Sequence, residues 1–190
     1  MSKHTISKLS TERLVLRELC ESDRPVIRGY WADERFLACY PPDRLSQEHC
    51  DETIDDALAA LAKYPRRGHH WAITLDENTI GLIRLELSKR NSTGDIGYEL
   101  HPDRWGNGYA TEVLKEVVRY SFEELKLHRL CAWAYEPNKA SQRVLVKAGF
   151  TYEGTMRKRC SWGDDWVDDL MFGLLVEEWK EGSGFGSAAL

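Results

Sequence analysis

The spacing of apolar and polar positions along this chain changes period several times, and each change predicts an element. Leu14 and Leu16 alternate with Val15 and Arg17 inside residues 11–19, the two-residue period of a strand. Asp23 followed by Pro25 opens a short helix. Pro41-Pro42 interrupts the chain, and from Ser46 onward Ile54, Ala57, Leu58, Leu61 and Ala62 form a helical stripe that ends near Pro65. Residues 70–75 and 79–87 flank Asp76-Glu77-Asn78, a hairpin connection, and 95–100 is a further strand. Ala110, Val113, Leu114, Val117, Val118 and Ser121 mark the strongest helix. Residues 129–135 are an aromatic-rich strand, and 138–148 a helix stopped by Gly149. Residues 151–160 and 166–175 make a last hairpin around Gly163-Asp164-Asp165. The order β-α-α-β-β-β-α-β-α-β-β describes a mixed α/β domain. No repeat or internal linker divides it, so 1–179 is expected to be one domain. Gly182-Ser183-Gly184-Phe185-Gly186-Ser187 has linker composition, which predicts a flexible tail over 180–190.

Composition narrows the possible roles. The 190 residues suit one domain, and 42% hydrophobic residues can build a core. Lys and Arg number 26 against 31 Asp and Glu, a net charge of −5, which argues against a direct nucleic-acid partner. The five cysteines are odd in number and scattered without a CxxC pair, so reduced thiols are expected rather than disulfides or a zinc site. His69-His70 beside Trp71 lacks further ligands, and no metal is expected. Residues 1–5 lack the apolar stretch of a signal peptide, and no run reaches about 18 apolar residues. A cytoplasmic protein with no membrane partner is the expectation, either monomer or homodimer.

Arg104-Trp105-Gly106-Asn107-Gly108-Tyr109-Ala110-Thr111 lies between a predicted strand and the strongest helix. Small residues at 106, 108 and 110 let backbone N–H groups approach a ligand. The helix that follows leaves its first N–H groups unpaired and carries partial positive charge there, so the segment is a candidate anion site. A tight turn with a glycine-rich helix entry accounts for the same residues. A Walker loop is excluded because no Gly-Lys-Ser/Thr occurs, and the dinucleotide fingerprint lacks its third glycine.

The stretch Ile96-Gly97-Tyr98-Glu99-Leu100 with Trp105-Gly106-Asn107-Gly108-Tyr109-Ala110-Thr111-Glu112 resembles the acetyl-CoA diphosphate loop of the GNAT N-acetyltransferases. That superfamily's pattern is Gln/Arg-x-x-Gly-x-Gly/Ala; Trp105 stands in the first place, Gly108 in the centre and Ala110 last. Tryptophan in the first place is similar to the branch that acetylates ribosomal-protein N termini (RimJ/RimL-like). Thr11-Glu12-Arg13-Leu14-Val15-Leu16-Arg17 is similar to that branch's opening strand, and Asn138-Lys139-Ala140-Ser141-Gln142-Arg143-Val144-Leu145 with Gly149-Phe150 to its second cofactor-side helix.

The resemblance implies a central, mostly antiparallel sheet of about seven strands, splayed at strands 4 and 5 and flanked by about four helices. It implies direct acetyl transfer from acetyl-CoA to a primary amine. The protein N-terminal α-amine is favoured. A small amine (polyamine, antibiotic or toxin) and a non-catalytic CoA sensor are the alternatives. The cofactor would be held by Tyr98, Leu100, Trp105, Gly106, Asn107, Gly108, Tyr109, Ala110, Thr111, Asn138, Ser141 and Arg143. Asn138 is equally a helix N-cap, and Arg143 equally a solvated helix charge. A backbone N–H near Tyr98 or Glu99 would serve the oxyanion. Glu99, on the strand beside the expected thioester, is the candidate base, with Glu86 second. Ser141 is the candidate partner of the leaving thiolate, with Tyr135 as the outside alternative. Trp31, Tyr40 and Glu86 are placed at the acceptor pocket. Arg157-Lys158-Arg159 is expected at a solvated hairpin edge.

Overall fold

The computed structural model describes residues 8–42, 46–63, 65–88 and 92–184. The reading of residues 1–5 and the last six positions of the expected tail lie outside them. The first predicted strand, 11–19, is shorter than expected, and a two-residue strand that the sequence reading lacks precedes it and pairs back on it. β1 (Leu9–Ser10) pairs antiparallel with β2 (Val15–Glu18), Leu9 opposite Leu16, and Thr11 N closes the turn on Leu14 O. α1 (Arg24–Trp31) carries Pro25 in its first turn. α2 (Glu34–Leu37), absent from the sequence reading, is a single turn capped by Asp33, whose carboxylate accepts from Arg35 N. α3 (Gln47–Ala62) starts where Ser46 accepts from His49 N.

β3 (Gly68–Leu75) and β4 (Asn78–Leu87) form a hairpin whose two turn residues, Asp76 and Glu77, have φ of 48° and 66°. That left-handed pair is the turn whose twist matches the flanking strands. β5 (Thr93–Leu100), α4 (Tyr109–Glu123), β6 (Arg129–Tyr135), α5 (Lys139–Lys147), β7 (Thr151–Trp162) and β8 (Asp165–Leu175) follow the predicted order. α6 (Val176–Gly184) runs through the start of the expected tail, and Trp179 packs on Phe122 at 5.6 Å.

One eight-stranded sheet has the order β1-β2-β3-β4-β5-β6-β8-β7. All its pairings are antiparallel except β5 with β6. On one face, Trp71, Ile83, Leu85 and Ile96 pack with Leu114 and Val117 of α4. On the other, Leu19 and Ala72 pack with Ile27, Tyr30, Phe36 and Ile54 of α1, α2 and α3. The parallel pairing covers only residues 93–96 against 129–132. Beyond it β5 stays with β4 as far as Leu100, and β6 with β8 as far as Tyr135. The sheet therefore splits between residues 97–100 and 133–135, at the fourth and fifth predicted strands.

Candidate active site

The loop before α4 has the backbone its glycines predict. Gly106 and Gly108 sit at φ of 78° and 80°, a region that costs other residues about 1–2 kcal/mol. Gly108 is the residue from which α4 begins. Two loop side chains fold back onto the main chain: Trp105 Nε1 donates to Leu100 O (2.9 Å), and Asn107 Nδ2 to Trp105 O (3.0 Å). Arg13, on the opening segment, places its guanidinium 4.6 Å from the Tyr109 ring centroid, and Arg13 Nη2 lies 3.6 Å from where a Cβ on Gly108 would stand. Glu112 holds that segment in place. It accepts from Arg13 N (2.9 Å), Arg13 Nε (2.8 Å) and the Thr11 hydroxyl. The Thr11–Arg13 motif and the glycine loop are thus parts of one structure, and a cation stands beside the α4 N terminus.

A cavity of about 950 Å³ runs from this loop through the split in the sheet to the face covered by α1–α3. Trp105, Gly106, Gly108, Tyr109, Ala110 and Thr111 line its loop end. Tyr98, Glu99, Leu100, Tyr135, Asn138, Ser141 and Arg143 also line it, as do Tyr40, Arg84, Asp95, Trp133, Arg159 and Asp169. Of the residues singled out from sequence, Asn107, Trp31 and Glu86 are not among the lining residues.

Successive strand residues point to opposite faces, so Tyr98 and Glu99 serve opposite sides of the split. Tyr98 Oη donates to Ser141 O (3.1 Å) and lies 3.0 Å from Ser141 Oγ. With the Tyr98 hydrogen on Ser141 O, the Ser141 hydroxyl can turn its own hydrogen to Tyr98 Oη or into the cavity. Burial pushes the Tyr98 phenol up from its ordinary 10.0, against the hydrogen bond to Ser141. Asn138 Oδ1 accepts from Ser141 N (3.0 Å), which makes Asn138 the N-cap of α5 as well as a lining residue.

On the other face Glu99 Oε1 accepts from Tyr30 Oη (2.6 Å) and Trp31 Nε1 (3.0 Å). Burial raises the Glu99 carboxyl above its ordinary 4.5; the bonds from Tyr30 and Trp31 and the charge of Arg84 act against that rise. Trp31 therefore holds Glu99 from behind. Tyr40 faces the cavity, stacked on Phe36 at 4.7 Å and edge-on to Tyr135 at 6.1 Å. Glu86 is taken up by His70, whose Nε2 lies 2.8 Å from Glu86 Oε1, and this contact lowers the Glu86 carboxyl. His69 stacks on Trp71 at 5.4 Å, and burial lowers it to about 4. Arg157, Lys158 and Arg159 are exposed on the edge strand, as expected, and Arg159 also pairs with Asp169 at 3.0 Å and lies over the Trp133 ring at 4.6 Å. Tyr30, Arg13 and Arg84 were not singled out from sequence, since each matters only through a partner far away in the chain.

The arrangement is a tunnel-like cavity with an anion-suited loop at one end and a buried carboxylate at its split. An Acetyltransferase (GNAT) domain model matches residues 13–151. The uncharacterized N-acetyltransferase YoaA of Bacillus subtilis (strain 168) is 32% identical over 158 residues, covering 79% of this chain and 86% of that protein. The [ribosomal protein uS5]-alanine N-acetyltransferase of Escherichia coli (strain K12) is 26% identical over 183 residues, 92% of this chain and 94% of its own. Spermidine N-acetyltransferase from Vibrio cholerae, solved with CoA and spermine, shares the fold with a TM-score of 0.72 at 18% identity, over 88% of this chain and 98% of that one. The chain belongs to the GNAT acetyltransferase family and is an acetyl-CoA-dependent N-acetyltransferase.

Proposed function

We propose that this enzyme acetylates the N-terminal α-amine of a protein, of the ribosomal-protein type, in the cytoplasm. The observation that carries the reading is Glu99, a carboxylate raised by burial and fixed by Tyr30 and Trp31 at the split in the sheet. The loop end of the cavity fits acetyl-CoA. Left-handed Gly106 and Gly108 bare the main chain before α4, and Arg13, ion-paired with Glu112 at 2.6 Å, stands beside them with its guanidinium on the Tyr109 ring. Tyr109, Ala110 and Thr111 would help hold the diphosphate. Strand edges 97–100 and 133–135, unpaired with each other, would take the pantetheine amides as an added strand. When bound, acetyl-CoA supplies the activated acetyl thioester.

Glu99 removes the amine's proton, directly or through one water. An α-amine with a pKa near 8 is already roughly one-tenth neutral at pH 7, whereas a lysine is neutral less than about one part in a thousand. A carboxylate raised from 4.5 is a base matched to the first and weak for the second. On the opposite side, Ser141 and Tyr98 present a hydroxyl pair suited to hydrogen-bond a departing thiolate. Tyr40 and Tyr135 form an apolar wall for the first side chain of the acceptor.

A second reading, a small polyamine acceptor, is favoured by the carboxylates Asp95 and Asp169 in the cavity lining. A mass-spectrometric screen with acetyl-CoA over peptides and small amines decides between them. Acetylated peptide N termini are the expected product. Acetylated polyamines without acetylated peptides would replace the first reading by the second.

A further inference from the structure

Arg84 is a cavity-lining cation whose charge acts on the Glu99 carboxyl. It lies on β4 directly opposite Gly97, in register, on the face that carries Asp95 and Glu99. A Cβ on Gly97 would stand only 2.8 Å from Arg84 Nε and 3.0 Å from its Cζ and Nη2. The guanidinium therefore occupies the space that Gly97 leaves between the two carboxylates. It is half-exposed, with a side-chain exposure of 50%. Among the described residues its one ion pair is a loose 3.6 Å contact with Asp95, and its side chain makes no hydrogen bond within 3.5 Å. Five N–H donors in a fixed fork are thus held at the cavity with almost none used.

We propose that Arg84 is the acceptor-recognition residue, binding the carbonyl or carboxylate oxygen attached to the carbon that bears the reacting amine. The assignment rests on the α-amine reading above and names the substrate class: α-amino acyl compounds, in which an amine and an oxygen acceptor share one carbon. Residue 97 is roughly 6–7 Å along the strand from residue 99. An amine bridged to Glu99 by a water leaves its own carbonyl group over that gap. A polyamine offers only further cations there, which a guanidinium repels. Asp169, one of the two carboxylates that would suit a polyamine, is closely paired with Arg159 at 3.0 Å.

The test compares alaninamide and an alanine-initiated peptide with isopropylamine, which has a methyl group in place of the carboxamide. Arg84→Met keeps the apolar stem and removes the donors. We expect kcat/KM for alaninamide and the peptide to fall at least about tenfold, mostly through KM, as loss of a charge-assisted hydrogen bond requires. The value for isopropylamine should stay within about threefold. CoA affinity and the melting temperature report folding. If Arg84→Met does not fold, Arg84→Lys, which keeps the charge and loses the fork, makes the same comparison with a fall in the same direction. Unchanged KM for alaninamide, or equal losses on both amines, overturns the assignment and leaves the α-amine reading standing. So does a variant whose KM is unchanged while the acidic limb of kcat/KM moves to higher pH, because Arg84 would then act only on the charge of Glu99. A wild-type enzyme that acetylates spermidine and neither alaninamide nor the peptide overturns the α-amine reading, and this assignment with it.

Discussion

Replacing Glu99 by Gln removes the base with little change in shape. The glutamine carbonyl oxygen can accept the bonds that Tyr30 Oη and Trp31 Nε1 now make at 2.6 and 3.0 Å, so the pocket wall is retained. General-base assistance is worth about 10²–10⁴ in rate, or about 3–5 kcal/mol of barrier. We expect kcat for a peptide α-amine to fall about a hundredfold at pH 7, with CoA affinity unchanged. The deficit narrows as pH rises past about 8, because the amine then arrives neutral without help. The melting temperature gives an independent check. A carboxyl whose folded pKa is raised above its unfolded value contributes stability that is present below the unfolded value and lost as pH rises. Glu99→Gln lacks that loss, so its melting temperature relative to wild type is higher at pH 7 than at pH 4. Stopped-flow detection of free CoA thiol across pH 5–9, with calorimetry on both proteins, makes the measurements. An unchanged kcat at pH 7, or a deficit of constant size up to pH 9, refutes the assignment of Glu99 as base.

Gly108→Val forces a branched side chain to φ near 80° and sets its methyls over the amides of α4. CoA binding by titration calorimetry is expected to vanish, and wild-type affinity would refute the loop assignment. Asp23 is buried, which alone would raise it. Bonds from Arg17, Thr79 and Cys20 overcome that and hold it at about 2 against an ordinary 3.8. Its stabilisation, on the order of 2 kcal/mol, is therefore present above about pH 4 and lost as pH falls towards 2. Urea titrations of wild type and Asp23→Asn should differ at pH 7 and converge towards pH 2; a gap that does not shrink would contradict this. Glu77→Gly relieves a left-handed residue in the β3–β4 turn and should add about 0.5 kcal/mol to stability, read as a higher urea midpoint; a lower one would mean the turn is not strained.

The elements were legible where the pattern is local. Two-residue and helical periods located the strands and the long helices, and Asp33's single-turn α2 was missed because one turn has no period to read. The tail reading rested on Gly and Ser composition, yet α6 runs to Gly184 because Val176 and Trp179 pack on the main core. The run of three basic residues reads as surface and is exposed; what no local pattern shows is that the pairing of β8 with β6 and β7 brings Asp169 and Trp133 beside Arg159.

What the chain determines by itself is the glycine loop and the helix behind it, since left-handed φ and unpaired N–H groups are local properties of a short segment. Tertiary structure decided what surrounds Glu99. Tyr30 reaches it across 69 positions, Arg13 reaches Glu112 across 99, and Arg84 meets Gly97 only through strand register. No spacing rule encodes such meetings, because they depend on which strand edges pair and where the sheet opens. The basicity of Glu99 follows from the same cause: burial sets it, and burial is a property of the packed whole.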